Sequence, residues 1–318
     1  MGDAYIAPTG YLAVSPSRRP PHDPITPSPY HPITLVMDIV YAVEIGAVAA
    51  VAAILGSMLG LGGGVFLVPI LTLFFGIDPK FAVGASAVVV VTNSVVGSRN
   101  HLRIRFTNPR LAMLLQIATA AGAIAGALYG VLADPRVIYI VFGAVLVYAA
   151  VSMVIRSERR VTAPPPGARD TLQLGAAFRD PAIKQEVGYI PTNVGLGMGV
   201  GLGAGVISGM LGVGGGVVMV PAMNLLMRVP VKAAVGTSTF MVGITSVATA
   251  FVFYSQGFID PTLVVPAIIG VFLGGQIGSR LTRRIKAQRL ALLFALILLY
   301  LGASLLLRAF GVEMPGQT

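Results

Sequence analysis

The amino-acid sequence predicts an all-α polytopic membrane protein, with about ten transmembrane segments in two inverted-topology repeats of five segments each and glycine-interrupted helices. Three observations carry this reading. The chain is too apolar to cover a soluble surface: 55% of its 318 residues are hydrophobic and 11% charged, against about 25% charged in soluble domains, and the mean hydropathy is +0.85. Stretches such as Leu111 to Leu132 and Ala291 to Leu307 carry no charge, and runs of about twenty such residues match the roughly 30 Å of hydrocarbon a helix must cross. Finally, Ser57-Met-Leu-Gly-Leu-Gly-Gly-Gly-Val-Phe-Leu-Val-Pro69 returns as Gly209-Met-Leu-Gly-Val-Gly-Gly-Gly-Val-Val-Met-Val-Pro221, an offset of 221 − 69 = 152. Lipid leaves helices or a closed barrel as spanning structures, and long apolar runs without period-two alternation select helices.

The same offset, without a gap, carries Lys80 onto Lys232, Gly84 onto Gly236, Ser86 onto Ser238, Phe106 onto Phe258, Pro109 onto Pro261, Gly122 onto Gly274 and Gly126 onto Gly278. A register held this long marks a duplicated unit. Taken in order, residues 1–34 are a Pro-rich tail, expected to be disordered, without the charged, apolar and small-residue order of a cleaved signal. Residues 35–156 form the first membrane repeat, with apolar segments at 39–60, 64–77, 81–98, 110–132 and 136–156. Residues 157–188, with Pro164-Pro-Pro-Gly167 and mixed charges, read as a cytoplasmic linker too short and polar for a core of its own. Residues 189–312 form the second repeat, with segments at 189–212, 216–228, 233–255, 261–280 and 287–309. The second segment of each set is short.

An odd number of crossings per unit places the two copies in opposite orientations, and the positive-inside rule tests it. Arg99, Arg103, Arg105 and Arg110 follow the third segment, whereas the partner loop around Phe258-Ile-Asp260-Pro has no basic residue. After the fourth segment the bias reverses: Asp134 and Arg136 cancel in the first copy, while Arg280, Arg283, Arg284, Lys286 and Arg289 crowd the second. With both termini outside, every basic loop faces the cytoplasm, including Arg156, Arg159 and Arg160 and the pair Arg228 and Lys232. The net charge of +10 is thus explained by topology, and no nucleic-acid partner is implied. There is no Cys, and His22, His31 and His101 fall outside the apolar cores without metal-ligand spacing, so no metal, disulfide or redox chemistry is expected.

Two sets of residues are candidates for binding. Gly60-Leu-Gly62-Gly63-Gly64 and Gly212-Val-Gly214-Gly215-Gly216 each end a long segment and open a short one. Glycine permits positive φ and close approach of a ligand, and a helix beginning there directs unpaired N–H groups and its positive end at an anion. Tight helix packing is the alternative role of membrane glycines, and it is the reading for Gly122, Gly126, Gly274 and Gly278. No Lys-Ser or Lys-Thr follows the glycines, so neither loop is a nucleotide-binding P-loop. The second set lies on the third segments: Ser86, Thr92, Asn93 and Ser94, matched by Thr237, Ser238, Thr239, Thr245 and Ser246, with Gln116 and Gln276 beside them. These hydroxyls and amides either donate to an oxyanion or bond to carbonyls within and between helices. Glu44, near the start of the first segment, is a candidate for proton coupling or an interfacial carboxylate; Arg99 either attracts the anion at the cytoplasmic mouth or anchors the topology.

Leu59-Gly-Leu-Gly-Gly-Gly-Val65 and Leu211-Gly-Val-Gly-Gly-Gly-Val217, each followed by Pro and then by Val83-Gly-Ala-Ser86 or Val235-Gly-Thr-Ser238, resemble the TauE/SafE family of sulfite and organosulfonate exporters over about residues 55 to 310. The resemblance implies a permease of sulfur-containing anions such as sulfite, sulfoacetate or thiosulfate, often in a bacterial inner membrane. The expectation is a secondary transporter exporting such an anion by alternating access. Gly62, Gly63, Gly64, Ser86, Asn93, Ser94, Arg99, Gly214, Gly215, Gly216, Thr237, Ser238 and Thr239 would bind substrate. No cofactor is required, the partners are the anion and the bilayer, and self-association is left open. A passive anion channel is the alternative. An enzyme is not expected, because the spans carry no HExxH, nucleophile elbow or paired acidic residues.

Overall fold

Helix starts in this chain follow a simple local rule. In the computed structural model, which describes residues 5–6, 12–13, 32–59, 61–155, 170, 172–179, 185–281 and 287–311, four helices open at an Asp-Pro or Asn-Pro pair. They are α3 (Pro79–Arg103), α4 (Pro109–Leu132), α5 (Pro135–Ile155) and α9 (Pro261–Leu281). The preceding side chain accepts a first-turn N–H each time: Asp78 from Lys80 at 2.8 Å, Asn108 from Leu111 at 3.2 Å, Asp134 from Arg136 at 2.8 Å and Asp260 from Thr262 at 2.9 Å. Proline at the first helical position has no N–H to leave unpaired and its φ already suits a helix.

Around these lie α1 (Pro32–Leu59), α2 (Gly64–Leu73), α6 (Val194–Leu211), α7 (Gly216–Leu225), α8 (Val231–Ser255) and α10 (Ala287–Ala309). Residues up to Val40 form a unit apart. The tail expected to be disordered lies mostly outside the described residues; within it β1 (Tyr5–Ile6) and β2 (Leu12–Ala13) pair antiparallel, Tyr5 opposite Ala13.

Among the described residues, seven helices are long and apolar enough to cross a membrane. The chain is a multi-pass, mostly helical membrane protein. Ten helices follow the ten expected segments, but α2 and α7 have ten residues each. At about 1.5 Å per residue each is only about 15 Å long, roughly half the hydrocarbon thickness. The expected second segments, 64–77 and 216–228, therefore end early and cannot span by themselves.

The two halves are interleaved. On α4, a Cβ added to Gly122 or Gly126 would strike the Leu202 or Val206 carbonyl of α6; on α9, one added to Gly274 or Gly278 would strike the backbone of Ala50 or Ile54 on α1. Backbones in such contact need small residues on both sides, so these glycines do have the packing role expected of them. The contacts also exchange under the 152-residue offset, Gly122 with Leu202 becoming Gly274 with Ala50, and Gly84 against Phe258 becoming Gly236 against Phe106. Between the halves, α3 also packs on α8.

The linker holds more than a tether. β3 (Ala176–Arg179) and β4 (Glu186–Tyr189) pair antiparallel, and Leu174, Phe178 and Tyr189 join a buried cluster with Leu111, Leu115 and Met223. Phe178 meets Phe106 edge to face at 5.1 Å. The Asn108 amide donates to the Leu174 carbonyl at 2.8 Å, and Arg110 to the Gln173 carbonyl at 3.1 Å. Burial pushes the Tyr189 phenol above its ordinary range, with the Asn108 side chain opposing. Alternation in 176–179 and 186–189 is too brief to announce strands against the surrounding polar residues. Arg156, residues 157–169, 171 and 180–184 of the linker, and the basic run from Arg283 to Lys286 lie outside the described residues.

Candidate functional site

Both glycine loops are buried at the helix-to-helix turns they were expected to form. Gly62 and Gly63 take φ of 79° and 86°, and Gly214 and Gly215 take 78° and 74°, a left-handed conformation that costs an L side chain about 1–2 kcal/mol. Gly63 and Gly215 are the N-cap residues of α2 and α7, and neither helix start has a side-chain cap. Phe66 and Val218 already donate to the Gly63 and Gly215 carbonyls, so it is the N–H groups before them that each loop presents, with the positive end of a helix dipole.

The two loops meet. A Cβ on Gly62 would lie 2.8 Å from Val90 and 2.9 Å from Val242; one on Gly214 would strike Val242 and lie 3.1 Å from Val90. A Cβ on Gly64 would overlap Ser86 Oγ and lie 3.0 Å from the Gly212 carbonyl. Gly62 and Gly214 thus meet at two valines one repeat apart on α3 and α8, and Gly64 lies against Val90 and the Gly212 carbonyl.

The polar residues of the third helices divide by half. In the first, Ser86 donates to the Gly212 carbonyl at 3.0 Å, Ser94 to the Thr239 carbonyl at 2.6 Å, and Ser57 to Asn93 Oδ1 at 2.6 Å. Asn93 is 2% exposed, and its amide nitrogen would lie 3.4 Å from a Cβ on Gly63. In the second half, Thr237 accepts the Asn108 N–H at 3.0 Å, while Thr239 and Thr245 donate to carbonyls one turn back on α8. Thr92 does the same on α3. Ser208, Ser238 and Ser246 differ: each is fully buried, and each hydroxyl lacks a hydrogen-bond partner. Ser208 Oγ would be 3.6 Å from a Cβ on Gly215, and Ser246 Oγ 2.9 Å from one on Gly214.

Beside the second loop is a cavity of about 10 Å³, lined by Thr119, Gly205, Gly214, Gly215, Ser238 and Thr245 among others. That is room for about one water molecule. Gln116 donates to Thr245 Oγ1 at 3.2 Å, and Thr119 returns its hydroxyl to carbonyls of its own helix.

The family model described as "Sulfite exporter TauE/SafE" matches residues 45–305. The chain belongs to the TauE/SafE family. This TauE/SafE protein is 24% identical over 277 residues to the probable membrane transporter protein YunE of Bacillus subtilis, covering 85% of the chain and 98% of that protein. It is 27% identical over 248 residues to a probable membrane transporter protein of Xylella fastidiosa, covering 78% and 87% of the two. A probable membrane transporter protein of Methanocaldococcus jannaschii is 26% identical over 275 residues, with 82% and 93% covered. No solved structure matches. The protein is a membrane transporter. Arg99 is exposed near the end of α3, and Glu44 is exposed near the start of the Ile39–Met58 span.

Sequence reasoning about this TauE/SafE chain missed Ser57, Thr119 and Ser208. Repeat matching hides Ser57 and Ser208 because each aligns with glycine, Ser57 with Gly209 and Ser208 with Gly56. Their signal is proximity, since each lies in the last turn of the helix that runs into a glycine loop.

Proposed function

We propose that the protein is a secondary transporter that moves a small sulfur-containing anion, sulfite, sulfoacetate or a related organosulfonate, out across the cytoplasmic membrane by alternating access. The observation that carries this is the meeting of the two glycine loops around Val90 and Val242, each loop opening a half-length helix without a side-chain cap. Broken helices of this kind are how secondary transporters build a midplane site, and helix N-termini suit an anion. The family supports a sulfur oxyanion, being described as sulfite exporters.

In this reading, backbone donors at Gly62–Gly64 and Gly214–Gly216 offset the charge of the anion without a fixed cation. That favours release as well as capture, because neutral donors hold an anion less tightly than an ion pair does. The two halves are inverted repeats, a reading supported by the exchange of contacts under the 152-residue offset. Because the halves are interleaved, movement of the α3 and α8 crossing relative to the helix pairs around it would expose the loops to each side in turn. Arg99, Arg103 and Arg105, all exposed, would raise anion concentration at the cytoplasmic mouth.

The test is flux in liposomes containing the purified protein, with sulfite, sulfoacetate, thiosulfate, sulfate and chloride as candidates. Saturable flux and counterflow of one sulfur anion, lost in Gly215→Val, are the expected result. Non-saturating chloride conduction without counterflow would replace the transporter by a passive channel.

A further inference from the structure

The repeat treats the two loops as equivalents, but the donors around them are not. Each hydroxyl at the first loop is committed inside the protein: Ser57 to Asn93, Ser86 to Gly212 and Ser94 to Thr239. At the second loop Ser208 and Ser238 are both 0% exposed and without a partner. A buried hydroxyl left unpaired costs roughly 1–3 kcal/mol, a loss that recurs here on two helices against the same loop. Ser238 lines the cavity that also touches Gly214 and Gly215, and Ser208 borders Gly215 from α6.

We propose that the second loop alone holds the transported anion in this state. Ser238 and Ser208 donate to its oxygens, and the uncapped start of α7 offsets its charge. This rests on the reading of the protein as an oxyanion transporter and narrows where that oxyanion binds. The ligand class is a small anion with several acceptor oxygens on one headgroup, sulfite or a sulfonate. Thr119 and Thr245 complete the wall, but their protons already go to carbonyls, so donation falls to the two serines. Ser246, also unpartnered and with its Oγ 2.9 Å from a Cβ on Gly214, is a third donor at the loop but is too far along α8 from Ser238 to share one small headgroup with it. It lies eight positions after Ser238 on α8, about 12 Å along a helix. The cavity has room for about one water as it stands. Met219 and Met241, which also line it, are the unbranched, flexible side chains whose movement would make room for a larger headgroup.

The experiment is calorimetric titration of the purified full chain with sodium sulfite and with sodium sulfoacetate, alongside thermal melting. One anion should bind per chain. Ser238→Ala and Ser208→Ala should each weaken binding about tenfold or more, while Tm stays level or rises because an unpaired hydroxyl is removed. Ser304→Ala is the control: Ser304 is also buried and its hydroxyl also unpartnered, but it lies on α10, so affinity should not change. Wild-type binding that both serine variants retain, or that Asn93→Ala abolishes instead, overturns the proposal and leaves the transporter reading in place. Two anions per chain would do the same. Failure of the wild type to bind either anion would overturn that reading together with the proposal.

Discussion

At the scale of single residues, backbone conformation and side-chain volume make separable demands on the loops. Gly215 has φ of 74° but a Cβ there would be 3.4 Å or more from its neighbours, so Gly215→Ala is strained by backbone alone. A loss of about 1–2 kcal/mol is expected, measured by denaturation of the purified protein. At Gly214 a Cβ would strike Val242, and Gly214→Ala should cost more than Gly215→Ala in the same assay, since overpacking adds to the φ penalty. Glu44 is exposed near the start of the Ile39–Met58 span. If it carries the coupling proton, Glu44→Gln flattens the pH dependence of flux; an unchanged profile removes that role.

For the helices, two kinds of contact set position. Caps fix where a helix begins: Asp260 accepts both the N–H and the hydroxyl of Thr262, at 2.9 and 2.7 Å. Asp260→Ala should lower stability by about 1 kcal/mol, visible in Tm. Small residues fix how closely helices approach. Gly126 meets the Val206 backbone, and Gly209 on α6 meets Ala123 on α4. Gly126→Leu should therefore prevent α4 and α6 from closing, with aggregation or loss of a monodisperse peak on size exclusion as the readout; a well-folded variant would show that the contact is dispensable. Arg308 adds a different anchor, donating to the Thr72 carbonyl at 2.6 Å near the end of α2, where a cation suits the negative end of the helix.

For the whole molecule, the decisive question is orientation. The chain contains no Cys, so single cysteines can be placed without removing native ones. Arg105→Cys, after α3, and Gln256→Cys, after α8, are both at exposed positions. Inverted repeats predict that a membrane-impermeant maleimide labels them from opposite sides of oriented vesicles. Labelling from one side would mean that the halves run parallel, and the explanation of the basic loops by topology would fall with it.

Much of this was legible from the chain. Hydropathy and a 152-residue register located ten helices and both glycine turns, because apolar length and glycine conformation are local properties. The packing role of Gly122, Gly126, Gly274 and Gly278 was legible for the same reason, as small residues four apart share one face of a helix. What the chain alone could not supply was every relation between distant residues. That α2 and α7 stop at half a membrane depends on where Leu73 and Leu225 cease to be helical. That residues 176–179 pair with 186–189 depends on a pocket for Phe178 beside Phe106. Most of all, Ser86 and Ser238 are equivalent by sequence, yet one hydroxyl finds a carbonyl and the other none. Helix and turn are encoded by neighbours along the chain, whereas a hydrogen bond across the bundle exists only once packing has set its distance and angle, and that tertiary step makes two like loops unlike.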